Sequence, residues 1–182
     1  MIGVLVSGTG TNLQALIDKG LPVSAVASNR SAAHALVRAE SAGIPTGVFE
    51  LERYRSREER DIAMADWLAE QGVEVVVCAG YMQLLTRAFL ERFRALNVHP
   101  SLLPAFPGLD AVGQALAAGV PETGVTVHFL DEGVDSGPVV LQQAVPIEPG
   151  DTSETLYARI RAVEHRLLPE AVRLYLAGAL RS

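Results

Sequence analysis

Short and almost wholly apolar runs recur at residues 2–7, 23–27, 73–78 and 94–98, with segments of helical spacing between them. Runs apolar on both sides suit strands of a parallel sheet, and the intervening spacing suits amphipathic helices that cover it. Residues 2–7 predict the first strand, and Leu13, Leu16 and Ile17 mark the helix after it. A second strand is expected over 23–27, an Ala-rich helix over 31–42 with Ser31 as N-cap and Gly43 at its exit, and a weak strand over 45–49. A longer helix, about 56–71, has Ile62, Ala65, Leu68 and Ala69 as its core stripe, with Trp67 near the edge. Gly72 ends it. A central strand over 73–78, a short helix around 86–94 and a strand over 94–98 follow, and Asp110 opens a helix over 111–118 that Gly119 closes.

From Gly124 the pattern changes. Residues 125–130 alternate, 131–138 form a tight acidic loop and 139–145 give another strand, which predicts an antiparallel hairpin. Residues 149–151 lead into a terminal helix through Leu167 or Leu168, capped by Asp151 or Thr152. Pro169 should interrupt that helix, leaving 171–177 as a last segment. The expected fold class is therefore α/β, a Rossmann-like open twisted sheet, mostly parallel with antiparallel late strands and with helices on both faces. A length of 182 residues with 49% apolar side chains fits a single domain over 1–182, with halves of about 1–98 and 99–182.

Charge narrows the function classes. Fifteen Lys and Arg against 21 Asp and Glu leave a formal charge of -6, which argues against a nucleic-acid partner. The Arg-rich piece 53–60 is interleaved with Glu52, Glu58 and Glu59 and reads as a solvated helix side. The N-terminus lacks the basic leader of a signal peptide, and no apolar run approaches the roughly 18 residues of a membrane span, so a cytoplasmic protein without a membrane partner is expected. Cys78, the single cysteine, reads as a small core residue. His34 is expected at or near the surface.

Asn97 and His99 lie two residues apart at the end of an apolar run, and three prolines follow within eight residues. On a strand both point to one side and reach its C-terminal mouth, where open α/β sheets carry their chemistry. A turn capped by a hydrogen-bonded histidine would read the same way. Asp135 sits in a loop flanked by glycines. Brought to His99, it would make an acid/base pair, and Asn97 could donate to a developing oxyanion, a bond worth about 3 to 4 kcal/mol in acyl transfer. Ser101 is not on a Gly-x-Ser-x-Gly elbow, so direct attack on a carbonyl by a bound amine or water is the chemistry the trio suits. The turn from Gly8 through Gly10 and Thr11 to Asn12 is either a phosphate cradle at a helix start or a tight turn with a Thr cap.

Other positions keep two readings. Leu84 and Leu85 either line an apolar slot or pack inward, and His128 either supports the Asp135 loop or is a packed strand residue. Glu164 with Arg161 reads as a surface pair. His99, His128, Asp135 and His165 lack ligand spacing, so no metal is expected.

Residues 6–16, the loop 99–108 after Asn97, and 124–129 through 135–138 together resemble the phosphoribosylglycinamide formyltransferase family, folate-dependent enzymes of purine biosynthesis. The resemblance runs from residue 1 to about 170. It implies transfer of the formyl group of the co-substrate 10-formyltetrahydrofolate to the primary amine of glycinamide ribonucleotide, with Asn97, His99 and Asp135 as catalytic trio. By the same resemblance Gly8, Gly10, Thr11 and Asn12 match the phosphate-binding turn, and Glu164 matches a carboxylate at the ribonucleotide sugar. Tyr81, Met82, Gln83, Leu84 and Leu85 match the segment lining the folate pocket, which Asp131, Glu132 and Val134 border. The first half is then phosphate-binding and the second folate-binding and catalytic. The resemblance also implies a cis peptide before Pro104, small-molecule partners, and a monomer or homodimer. Ala105, Asp110 and Gln83 depart from the basic residue, histidine and arginine found in some relatives, and the last removes a charge near the folate tail. The rivals are folate hydrolysis with water as attacker, formylation of an initiator tRNA, which would call for a further RNA-binding domain, and a non-catalytic binding protein, which would need the trio broken.

Overall fold

The computed structural model describes residues 1–180. Its backbone separates into two compact units, Met1–Asn97 and the residues from Val98 onward. The first unit contains β1 (Ile2–Val6), α1 (Thr11–Asp18), β2 (Val23–Ser28), α2 (His34–Ser41), β3 (Thr46–Val48), a single 3-10 turn at Leu51–Arg53, α3 (Arg57–Glu70), β4 (Val75–Cys78) and α4 (Arg87–Leu90). β5 (Arg94–His99) pairs with β4 as far as Asn97. All pairings here are parallel, in the order β3-β2-β1-β4-β5. Every residue of β1 and β4 is buried, which is why these runs carry no alternating polar positions.

Three helices differ from expectation for local reasons. α2 begins at His34, because the Ser31 N–H donates to Glu50 Oε1 (2.9 Å) and Ala33 takes the N-cap position. α4 is only one turn, since β5 already starts at Arg94. α3 starts where expected, with Ser56 Oγ accepting from the Glu59 N–H at 3.0 Å, but its buried face is Arg60, Asp61, Met64, Ala65 and Leu68. Ile62 is 41% exposed, and Ala69 is also exposed. The stripe runs 61, 64, 65, 68, the i, i+3, i+4, i+7 set, and leaves 62 and 69 off its centre. Arg60 lies on that buried face with no exposure, so residues 53–60 are not uniformly a solvated side.

The second unit contains α5 (Ala111–Ala118), β6 (Glu122–Phe129), β7 (Val139–Pro146) and α6 (Ser153–Leu176). β6 and β7 are antiparallel, with Val125 opposite Gln143, as the alternation predicted. α6 packs on both strands and is capped by Thr152, whose side chain accepts from the Thr155 N–H while Thr155 Oγ1 accepts from the Thr152 N–H. α6 runs unbroken through Pro169, contrary to expectation. A mid-helix proline costs about 3 kcal/mol, but Leu167, Leu168, Ala171 and Val172 around it are buried, and each large apolar side chain returns about 1.5 to 3 kcal/mol. Parallel strands, a later antiparallel pair and flanking helices make the α/β class expected. Among the described residues no helix is long and apolar enough to cross a membrane.

Candidate active site

β5 delivers Asn97, half-buried, and His99, 5% exposed, to one side of the strand, with Val98 on the other. The chain beyond is held by a network in the second unit. Ser101 Oγ donates to the Ala105 carbonyl (2.6 Å), Thr126 Oγ1 donates to the Ser101 carbonyl (2.7 Å) and accepts from the Leu103 N–H (3.1 Å), and Gln142 Nε2 donates to the Leu103 carbonyl (2.9 Å). The Leu103–Pro104 peptide is cis, as the resemblance implied. Phe106 is left-handed (φ 52°), a backbone state unfavourable for a bulky residue, and its carbonyl lies 2.8 Å from His99 Nε2. A carbonyl only accepts, so Nε2 carries the proton there and Nδ1 is the nitrogen turned to Asp135.

Asp135 stands between two imidazoles. Its Oδ2 accepts from the Gly108 N–H (2.8 Å) and lies 3.4 Å from His99 Nδ1, while Oδ1 lies 3.6 Å from His128 Nε2. The open question about His128 is thus answered: it is wholly buried, with Nδ1 2.9 Å from the Phe129 carbonyl oxygen, and it faces the carboxylate. Burial pushes the Asp135 carboxyl upward, but the His128 contact, the Gly108 N–H and the His99 and His128 charges outweigh it, leaving the group below its ordinary value. Asp135 is itself left-handed (φ 52°), and an added Cβ at Gly137 would lie 1.9 Å from the Phe129 carbonyl oxygen, so a glycine is required to close this loop. The arrangement is an ionised carboxylate aimed at a histidine, a pair suited to orienting the ring and to general acid/base work.

In the first unit the glycine turn joins β1 to α1. Gly10 is the N-cap, left-handed at φ 75°, and an added Cβ would lie 2.5 Å from that of Ala35. No side chain caps α1, so the Thr-capped alternative is not realised and the helix start presents main-chain N–H groups. A Cβ on Gly8 would meet nothing within 4 Å, so packing does not require glycine there. The turn is fixed from behind by the Ala35 N–H to the Gly8 carbonyl (3.0 Å) and Arg38 Nε to the Thr9 carbonyl (2.7 Å). Thr11 is half-buried and Asn12 is buried.

The loop after β4 is tied at three points. The Met82 N–H donates to Ser7 Oγ (2.9 Å), Gln83 Oε1 accepts from Arg60 Nη1, and the Thr86 N–H donates to Asp61 Oδ2 (2.7 Å). Met82 is 62% and Leu84 50% exposed, whereas Leu85 is buried, so of the leucine pair Leu85 packs inward and Leu84 does not. The Tyr81 hydroxyl is buried with no hydrogen-bond partner among the described residues. Burial raises its pKa, partly countered by Arg60 and Arg57.

Residues 1–172 match the formyl transferase family. The chain belongs to that family. It is 44% identical over 188 residues to phosphoribosylglycinamide formyltransferase of Haemophilus influenzae, covering 99% of this chain and 89% of that one. The structure of glycinamide ribonucleotide transformylase 1 from Symbiobacterium toebii superposes with a TM-score of 0.95 at 50% identity, covering 97% of this chain and 87% of that one. The trifunctional purine biosynthetic protein adenosine-3 of Bos taurus is 45% identical over 188 residues, which are 99% of this chain but 19% of that protein, so the chain spans about a fifth of its length.

For this formyl transferase the structure brings His99 and Asp135 together, and β5 carries Asn97 beside His99. Glu164 is 3% exposed on α6, a correction to its reading as part of a surface pair, and Arg161 covers the Tyr157 ring at 4.8 Å. Asp131, Glu132 and Val134 are exposed, and Asp131 Oδ1 holds their loop by accepting from the Gly133 N–H (2.9 Å) and Ser136 O–H (2.8 Å). Among the described residues no group of three His, Cys, Asp or Glu is arranged to hold a metal ion. Sequence reasoning missed Arg60 and its hold on Gln83. The available signal was its spacing of four from Met64, overridden by reading a charged residue as solvated.

Proposed function

We propose that this formyl transferase moves the formyl group of 10-formyltetrahydrofolate onto the primary amine of glycinamide ribonucleotide. The observation that carries the reading is the ionised Asp135 carboxylate set against His99, with Asn97 two residues earlier on the same strand. The amine lone pair forms a bond to the formyl carbon, and the carbonyl electrons move to oxygen. Asn97 donates an N–H to that oxygen, and the His99 ring, held between Asp135 and the Phe106 carbonyl, stands beside the reacting group. When the oxygen's electrons return, the bond from the formyl carbon to N10 breaks and its pair stays on N10. One proton passes from the attacking amine to N10, with Asp135 assisting directly or through water. Asn97, His99 and Asp135 thus supply orientation, charge and a proton path, and no protein nucleophile is required.

The ribonucleotide phosphate is assigned to the main-chain donors of Gly8, Gly10, Thr11 and Asn12, and its sugar to Glu164. The absence of a side-chain cap on α1 and the open space at Gly8 support the phosphate assignment. Tyr81 to Leu85 are assigned to the folate, and so are Asp131, Glu132 and Val134. The exposed Met82 and Leu84 offer apolar surface for a flat ring to cover.

The test is optical. Purified protein is mixed with 10-formyltetrahydrofolate, with and without glycinamide ribonucleotide, and deformylation is followed. Loss of the formyl group only when the amine is present supports transfer. Equal loss without it would indicate hydrolysis, and no loss in either mixture would indicate a binding protein.

A further inference from the structure

We propose that Arg60 is a positioning residue for the loop 80–86, acting through Gln83. The inference rests on the reading above that residues 81–85 line the folate pocket. Arg60 and Asp61 both have no side-chain exposure, and the guanidinium donates through Nε to Asp61 Oδ1 at 2.8 Å, with Nη2 2.7 Å from the same oxygen. Nη1, the remaining nitrogen, donates to Gln83 Oε1. A guanidinium has no acceptor, so this contact dictates which end of the Gln83 amide faces inward. The other oxygen of Asp61 accepts the Thr86 N–H at 2.7 Å. A single buried ion pair therefore holds a side chain at 83 and the main chain at 86, while Ser7 Oγ holds Met82.

Packing does not account for this pair. Position 60 is one turn before Met64 on the buried face of α3, where an apolar side chain would continue the stripe. Buried ion pairs are generally no more stabilising than well-packed apolar replacements, because both charges must leave water. What an apolar residue at 60 would lack is the donor to Gln83. The charge is thus explained by what it holds, a loop whose exposed Met82 and Leu84 must be presented in one arrangement to be of use to a ligand.

The test separates positioning from general stability by comparing the two substrates in the full-length enzyme. Arg60→Met is expected to raise KM for 10-formyltetrahydrofolate about tenfold, and Kd for tetrahydrofolate in calorimetry likewise, with kcat and the ribonucleotide KM changed less than about threefold. Arg60→Lys should recover part of the loss. Gln83→Leu should reproduce it, and the double variant should be no worse than the stronger single one, because both break the same contact. An unaltered folate KM in Arg60→Met, or single effects that multiply in the double variant, would overturn the proposal. If Arg60→Met fails to fold, Gln83→Leu leaves the ion pair in place, and an unchanged folate KM there overturns the proposal. Leu84→Ala reports on the underlying reading, since Leu84 has no part in the Arg60 contact. If Leu84→Ala and Gln83→Leu both leave the folate KM unchanged, the folate assignment of the loop falls and this inference with it. If only Leu84→Ala raises it, the assignment stands and the role of Arg60 falls.

Discussion

His99 Nδ1 and Asp135 Oδ2 stand 3.4 Å apart, and the Gly108 N–H reaches that same oxygen at 2.8 Å. The carboxylate is therefore anchored to main chain independently of the ring it serves. Asparagine tolerates the left-handed backbone of position 135, so Asp135→Asn removes charge without adding backbone strain. We expect kcat to fall by about 100-fold or more and the pH profile of kcat to change. A variant with the wild-type profile would show that Asp135 takes no part in the pH dependence of turnover.

The depressed Asp135 pKa also predicts a stability difference. A carboxyl group whose folded value lies below its ordinary 3.8 stabilises the fold fully above that value and loses the contribution as pH falls through the folded one. The gap in urea midpoint between wild type and Asp135→Asn should thus be constant near neutrality and shrink below about pH 4. A gap that widened on acidification would contradict the sign of the shift.

Asn97→Ala and His99→Ala should each lower kcat by about 100-fold or more while both substrates still bind, because each removes a group acting on the reacting carbonyl. Steady-state turnover together with calorimetric binding checks this, and near-wild-type turnover of either purified variant would reject its role.

The two glycines of the first turn should behave differently. Gly8→Ala meets open space and should leave Tm unchanged while raising the ribonucleotide KM. Gly10→Ala places a Cβ against Ala35 in a left-handed backbone that alone costs about 1 to 2 kcal/mol, so it should lower Tm. An unchanged ribonucleotide KM in Gly8→Ala would misplace the phosphate site.

Cys78 is buried on β4, and burial pushes its thiol up to about 12. Little thiolate exists at neutral pH, so a thiol-specific reagent should label the native protein far more slowly than the urea-unfolded chain. Fast labelling of the native protein would show that β4 is exposed.

The alternation of elements was legible because burial on both faces leaves a plain mark in β1 and β4, and the β6 and β7 pair was legible from alternating residue types, although residues 123–129 of β6 are all buried. The start of α2 was not, because the Ser31 N–H is drawn to Glu50, nineteen residues away in sequence. Nor was the continuity of α6 through Pro169, which depends on packing against β6 and β7. In the site, the side of the strand shared by Asn97 and His99 follows from spacing alone. The contact of His128 with Asp135 and the left-handed Phe106 come from how the loops after β5 and β6 fold back, and neither has a local signature. Arg60 misled for a simpler reason: charge usually marks a solvated position, and here it marks a loop anchor.

Ser7 Oγ gives its proton to Asn29 Oδ1 at 2.5 Å and receives the Met82 N–H. One oxygen at the end of β1 therefore knots the segments that leave β2 and β4 to the start of the glycine turn. Three connections that could wander separately share a single degree of freedom, so a ligand arriving there finds much of the ordering entropy already spent during folding.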